Sequence, residues 1–279
     1  GGVNDESFNA SAWEGLKRAR RELGVEVHYI ESVSEADYDR NLKTLAEEGY
    51  DLIWGIGFLM EDAIKKAAND YPDSKFGIID SALGGNPSDN VIGVTFKEHE
   101  GSFLVGIIAG LMTETDKIGF IGGIKFYLIE KFMYGFKAGV MMANPDAEVL
   151  DVWAESFTDA SKGKSLANQL YGSGCDIIYH AAGNVGKGLF EAAKEYDKWA
   201  IGVDSDQRKL APDHILTSMM KRVDNAVFNV AEDLVDGVFN GGEVIEYGLA
   251  EDGVGIAPTS HKNVPEGILE EVEMYKEMV

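Results

Sequence analysis

The sequence runs to 279 residues with a formal charge of −23, and 45% of its residues are hydrophobic against 26% charged. That is enough chain for two lobes of ordinary domain size, and so acidic a balance, with no basic patch to offset it, argues against nucleic acid as a partner. A single cysteine excludes an internal disulfide, the five histidines lack metal-binding spacing, and no apolar run reaches the roughly 18 residues of a membrane-spanning helix.

The chain opens with GGVNDESFN ahead of a helical pattern. Ala12, Leu16, Ala19 and Leu23 recur on one face, and Gly24 stops the run. Asn4, Asp5 or Ser7 can cap this helix and Phe8 can staple it. Alternatively, Phe8 stacks on a planar ring whose edge Asp5 and Asn9 read. A glycine pair in front of a helix ordinarily follows a strand, so a first strand, with an export signal before it, is expected ahead of Gly1.

Strands are then expected at Val25–Ile30, Asp51–Gly57, Lys75–Asp80 and Val91–Phe96, each short, β-branched or aromatic, and bounded by polar residues. Phe103–Met112 reads as a buried helix. A second series of strands follows at Lys117–Gly123, Glu148–Trp153, Asp176–Gly183, Lys198–Asp204 and Ile215–Met220. Val223–Phe239 is amphipathic, and EGILEEVEMYKEM reads as a docked terminal helix. Alternating strands and helices predict parallel sheets covered by helices.

The two series overlay. Gly1-Gly2 falls on Gly122-Gly123, Gly15 on Gly135, VEVHYI on EVLDVW, Asp51 on Asp176 and Asp80 on Asp204, with offsets of 121, 120, 123, 125 and 124. Drift of that size is what differing loop lengths produce. The repeat implies two similar α/β lobes: residues 1–114 plus about 223–248, and residues 115–222 plus about 249–279, with a ligand cleft between them. Parallel sheets carry their functional loops at the carboxyl ends of strands.

Several residues at such ends invite chemistry. GNVGKG (Gly183–Gly188) fits neither dinucleotide nor P-loop spacing and reads as a turn opening a helix, whose N–H groups can face a ligand. Asp80 and Asp204 either cap a helix or accept hydrogen bonds from adjacent hydroxyls such as a sugar diol. For Lys221 a solvated lysine is the simpler reading, and for Cys175 a small buried side chain is. No serine–histidine–acid set can be assembled, and no glycine-framed nucleophile appears.

GGVNDESFNASAWEGL resembles the block near the mature N-terminus of the basic membrane lipoproteins, the purine nucleoside receptor group of ABC-transporter substrate-binding proteins. KIGFIGGIKFYLIEKFMYGFKAGV, GNVGKGLFEAAKE, and WAIGVDSDQ followed by LTSMMKRVD resemble that family's later blocks, in order. The resemblance implies a type I periplasmic-binding-protein fold with two Rossmann-like lobes and a multi-strand hinge. It implies an extracytoplasmic monomer, lipid-anchored to the cell membrane or periplasmic, with no enzymatic activity, cofactor or metal, that delivers a nucleoside, expected to be a purine nucleoside, to an ABC permease. By the same resemblance Phe8 stacks on the base, Asp5 and Asn9 hydrogen-bond it, and Asp204, Lys221 and the Gly183–Asn184 turn hold the ribose. Phe58 or Phe190 covers the base's other face. Two features depart from the family: Tyr127 stands where many members have proline, and the only cysteine, Cys175, lies mid-chain rather than at a lipidation site. Rival readings are a binder of a nucleobase, riboflavin or sugar, a ligand-sensing regulatory domain, and a nucleoside-processing enzyme.

Overall fold

The computed structural model describes residues 2–279; Gly1, which the overlay pairs with Gly122, lies outside the described residues. In chain order the first half contains α1 (Phe8–Leu23), α2 (Tyr38–Glu47), β1 (Leu52–Ile56), α3 (Glu61–Asp70), β2 (Lys75–Ile79), β3 (Val91–Phe96) and α4 (Glu98–Met112). Then follow β4 (Lys117–Gly122), α5 (Tyr127–Ala143), β5 (Glu148–Trp153), α6 (Ala160–Gly172), β6 (Ile177–Ala181), α7 (Gly186–Tyr196), β7 (Trp199–Asp204) and β8 (Ile215–Lys221). The chain closes with α8 (Val223–Val235), β9 (Val244–Tyr247), β10 (Val254–Ile256) and α9 (Glu266–Lys276).

Contacts divide the chain into two units. Among the described residues the first comprises 2–4, 9–96 and 223–247. Its sheet has the order β1-β2-β3-β9, all parallel. Helix α1 buries Ala12 and Ala19 from the expected face, and Gly15 is there because α8 comes so close. A Cβ at Gly15 would lie 2.4 Å from the Asp224 carbonyl oxygen. Ser11 Oγ accepts the Asp224 backbone N–H at 3.1 Å, capping the start of α8.

The second unit comprises residues 5–8, 97–222 and 248–279. Its sheet has the order β10-β8-β7-β6-β4-β5, parallel except for β10 against β8. Strand β6 is buried along its whole length, as a strand covered on both faces should be. Helix α4 supplies Leu104, Val105, Ile107 and Ile108 to the core, none more than 1% exposed. Helix α9 docks on this core through Val272. Gly135 on α5 repeats the Gly15 arrangement, since a Cβ there would lie 2.3 Å from the His99 carbonyl oxygen at the start of α4. Asp224 and His99 differ by 125, so the overlay extends to the helices that these glycines touch.

Three differences from the sequence reading have local causes. Val25–Ile30, expected as a strand, has no ladder partner among the described residues and no regular structure. The short strands β9 and β10 were not expected at all; four and three residues are too few to show a period. Helix α4, expected within the first lobe, groups with the second unit because its apolar face packs on α5, β8 and β10.

Candidate functional site

Parallel β4, β6, β7 and β8 end along one edge of the second unit's sheet, and the residues singled out at those ends come together there. Strand β7 finishes at Asp204, whose Cα partner on β8 is Met220, so Lys221 stands one residue beyond it on the adjacent strand. Asp204 is 6% exposed and has φ of 67°. That left-handed backbone is one aspartate tolerates better than most residues. Its overlay counterpart in the first unit, Asp80 at the end of β2, has φ of 69°. The two strand ends therefore turn in the same way, which supports the internal repeat at the positions that matter.

The segment 5–8 groups with the second unit although the rest of α1 belongs to the first. Several hydrogen bonds hold it there. Ser7 Oγ donates to Asp204 Oδ2, and the Ser7 backbone N–H donates to Asp5 Oδ1 at 2.9 Å. The Glu6 carbonyl accepts from Ser205 Oγ at 2.7 Å and from Gln207 Nε2 at 3.0 Å. Gln207 in turn accepts the Val203 backbone N–H at 2.9 Å and donates its own N–H to Ser218 Oγ at 3.2 Å. One buried residue thus ties the 5–8 loop to β7 through its side chain and to β8 through its backbone N–H. His180 completes the group at 3.1 Å from Gln207 Oε1, and burial pushes its pKa down to about 4.

Lys221 is 1% exposed, so the solvated reading of it is wrong. Its Nζ lies 3.0 Å from Glu98 Oε1, while Lys131 Nζ lies 2.6 Å from Glu98 Oε2. Glu98 itself is fully buried. The same Lys221 ammonium lies 5.2 Å from the Phe8 ring centroid and 5.4 Å from that of Phe132, within cation–π range of both. A carboxylate, an ammonium and an aromatic ring therefore share one edge of one sheet.

After β6 the chain turns through Gly183, with φ of 55°, into a single 3-10 turn and then α7. The Asn184 backbone N–H donates to the Phe157 carbonyl at 2.9 Å and its side-chain amide to the Thr158 carbonyl at 3.3 Å. Asn184 Oδ1 is buried with no hydrogen-bond partner among the described residues. Leaving such an acceptor without a donor costs about 1–3 kcal/mol.

Not every expected residue belongs here. Phe190 is 2% exposed and packs edge-on against His180 at 5.4 Å within the core, so it is a core residue and no candidate for a second stacking ring. Its helical spacing on α7 fits either role, and burial decides. Asn9, Phe58 and Asp80 lie in the first unit. Cys175 is buried, and burial raises its thiol pKa to about 11, so it is inert packing. Sequence reasoning missed Glu98, Gln207 and the role of Ser7. Glu98 looks like an ordinary acidic first-turn residue of α4, and Gln207 lay inside the WAIGVDSDQ block without being weighed.

The family model of ABC transporter substrate-binding proteins described as PnrA-like matches residues 1–277. The chain belongs to this family. The PnrA-like chain is 42% identical over 300 residues to the CD4+ T-cell-stimulating antigen of Listeria monocytogenes, covering all of this chain and 83% of that protein. It is 40% identical over 274 residues to the ABC transporter nucleoside-binding protein BmpA of Lactococcus lactis, covering 91% of this chain and 78% of that one. Among solved structures it superposes with a TM-score of 0.87 on an ABC transporter solute-binding protein from Aeropyrum pernix, at 32% identity, covering 100% of this chain and 84% of that chain. The fold is accordingly that of periplasmic binding proteins, and the family acts outside the cytoplasm as the solute-capturing part of an importer rather than as an enzyme. No helix among the described residues is long and apolar enough to cross a membrane.

Proposed function

We propose that this PnrA-like protein captures a purine nucleoside and hands it to an ABC permease. The observation that carries the reading is the grouping of Asp204, Lys221, Phe8 and Asn184 within one unit. Each matches one part of a nucleoside. A carboxylate accepts from two adjacent hydroxyls, the ammonium donates to ribose oxygens, and the Asn184 acceptor takes a further hydroxyl. The Phe8 ring offers a face to the base, and Asp5 offers a carboxylate to its N–H groups. The naming of the Lactococcus relative as a nucleoside-binding protein supports the same ligand class. Asn9, Asp80 and Phe58 remain proposed contacts from the first unit, with Phe58 now the sole candidate for the second stacking ring. In this reading the protein works as a lipid-anchored monomer, makes no covalent change to its ligand and needs no cofactor.

Mass spectrometry of the small molecule released when the purified protein is denatured tests the proposal. A nucleoside mass is expected. A sugar, a free nucleobase or a flavin would overturn it, and release of free base from inosine and phosphate would make the protein an enzyme instead.

A further inference from the structure

The 5–8 loop carries Asp5 and Phe8, yet the groups that fix it lie on the short segment after β7. Glu6, inside the loop, has φ of 59°, a left-handed backbone uncommon for a long side chain that persists only where its surroundings hold it. Its carbonyl is held twice, by Ser205 Oγ at 2.7 Å and by Gln207 Nε2 at 3.0 Å. Its carboxylate meets Lys209 Nζ at 2.5 Å. Residues 205–209 thus close on a single residue of the loop.

The segment is shaped for this contact. The left-handed backbone of Asp204 lets the Ser205 N–H donate to the Val203 carbonyl at 2.8 Å, a three-residue turn that reverses the chain at the end of β7. Gln207 then folds back over the strand it has left, where its Oε1 accepts the Val203 N–H at 2.9 Å and lies 3.1 Å from His180 Nε2. Gly202 leaves room for it, since a Cβ there would lie 2.7 Å from Gln207 Oε1. Gly186 does the same for His180, whose Cε1 would lie 2.1 Å from a Cβ at that position. With its oxygen engaged on β7 and β6, the Gln207 amide points its Nε2 at Glu6. Each polar atom of that side chain therefore has a protein partner.

We infer that Gln207 and Ser205 are positioning residues, a latch on the Glu6 carbonyl that sets the 5–8 loop before a ligand arrives. Fixing Glu6 fixes its neighbours, Asp5 on one side and Ser7 and Phe8 on the other. The inference rests on the nucleoside reading above, in which Asp5 and Phe8 face the base. Ser7, fully buried, carries the same order to the sugar side, because its hydroxyl donates to Asp204 and its backbone N–H to Asp5. A loop set in advance spares binding the entropy of ordering it. Loosening it lowers the binding-competent fraction and raises the apparent Kd in proportion.

The test is Gln207→Glu, which keeps the acceptor that Val203 and His180 use and turns a carboxylate oxygen on the Glu6 carbonyl. In the ligand-free protein, amide hydrogen exchange at residues 6–8 should quicken at least about tenfold. Calorimetry should show adenosine and 2′-deoxyadenosine weakened alike, each at least about tenfold, because the loss falls on the base side that both share. Unchanged affinity would overturn the inference. So would loss of the preference for the ribose form, or exchange quickened equally along β6 and β7, since either means that the sheet end has moved rather than the loop. Should Gln207→Glu fail to fold, Ser205 serves instead. Ser205→Ala should weaken both nucleosides about three- to tenfold, and Ser205→Thr, which keeps the hydroxyl, should bind within about twofold of wild type; equal losses in the two variants contradict the latch. If the wild type binds no nucleoside, the ligand reading fails rather than the latch, which exchange at residues 6–8 then decides alone.

Discussion

Changing Asp204 to Asn removes one charge while keeping the side chain's shape and its ability to accept the Ser7 hydroxyl, so the change is aimed at the ligand rather than at the loop. Two hydroxyls of a ribose diol each lose a charge-assisted hydrogen bond worth about 1.5–3 kcal/mol and keep a neutral one worth about 0.5–1.5 kcal/mol. The net loss is about 2–3 kcal/mol, which at about 1.4 kcal/mol per decade weakens binding roughly 30- to 150-fold. Calorimetric titration of D204N with adenosine measures this directly. Titration with 2′-deoxyadenosine adds a second reading, because the wild type should prefer the ribose form and the variant should lose most of that preference. A D204N affinity within about threefold of wild type, with the preference intact, would refute the assignment of Asp204 to the sugar.

Phe8→Ala should cost about 1–3 kcal/mol of affinity, the usual worth of a base stacked on an aromatic ring, while Phe8→Tyr retains it; equal losses in both variants would argue against stacking. Glu98→Gln should lower stability by about 3–5 kcal/mol, because two lysines then lose the buried charge they face; an unchanged urea midpoint would contradict that. His180 is neutral when folded because burial holds its pKa at about 4, below the 6.5 of an ordinary histidine. The unfolded chain therefore binds the proton first, and stability falls as pH drops from 6.5 toward 4, by about 2 kcal/mol at pH 5. His180→Gln should remove that share of the acid sensitivity, and identical pH–stability curves would exclude it.

The repeat was the most legible part of the fold, and the reason is physical. Strand-ending residues such as Asp80 and Asp204 need a backbone that few side chains adopt, so they stay at matching positions and share their left-handed φ. A strand, by contrast, is half the property of its neighbour. Val25–Ile30 carries a strand pattern and forms none, since nothing in the described residues pairs with it. Buried ion pairs are hidden for the same reason. Glu98 and Lys221 are far apart in sequence, and only the fold shows that each is the other's counter-charge. Phe190 misled because an aromatic at the start of a helix reads alike whether it faces ligand or core.

The central claim is that one site recognises base and sugar together, and side-by-side calorimetry with adenosine, adenine and ribose tests it most directly. The account predicts tight binding of adenosine alone, with adenine and ribose each weaker by at least about a hundredfold, because each leaves half of the contacts unmade. Ribose or adenine binding as tightly as adenosine, or no binding of any nucleoside, would contradict it.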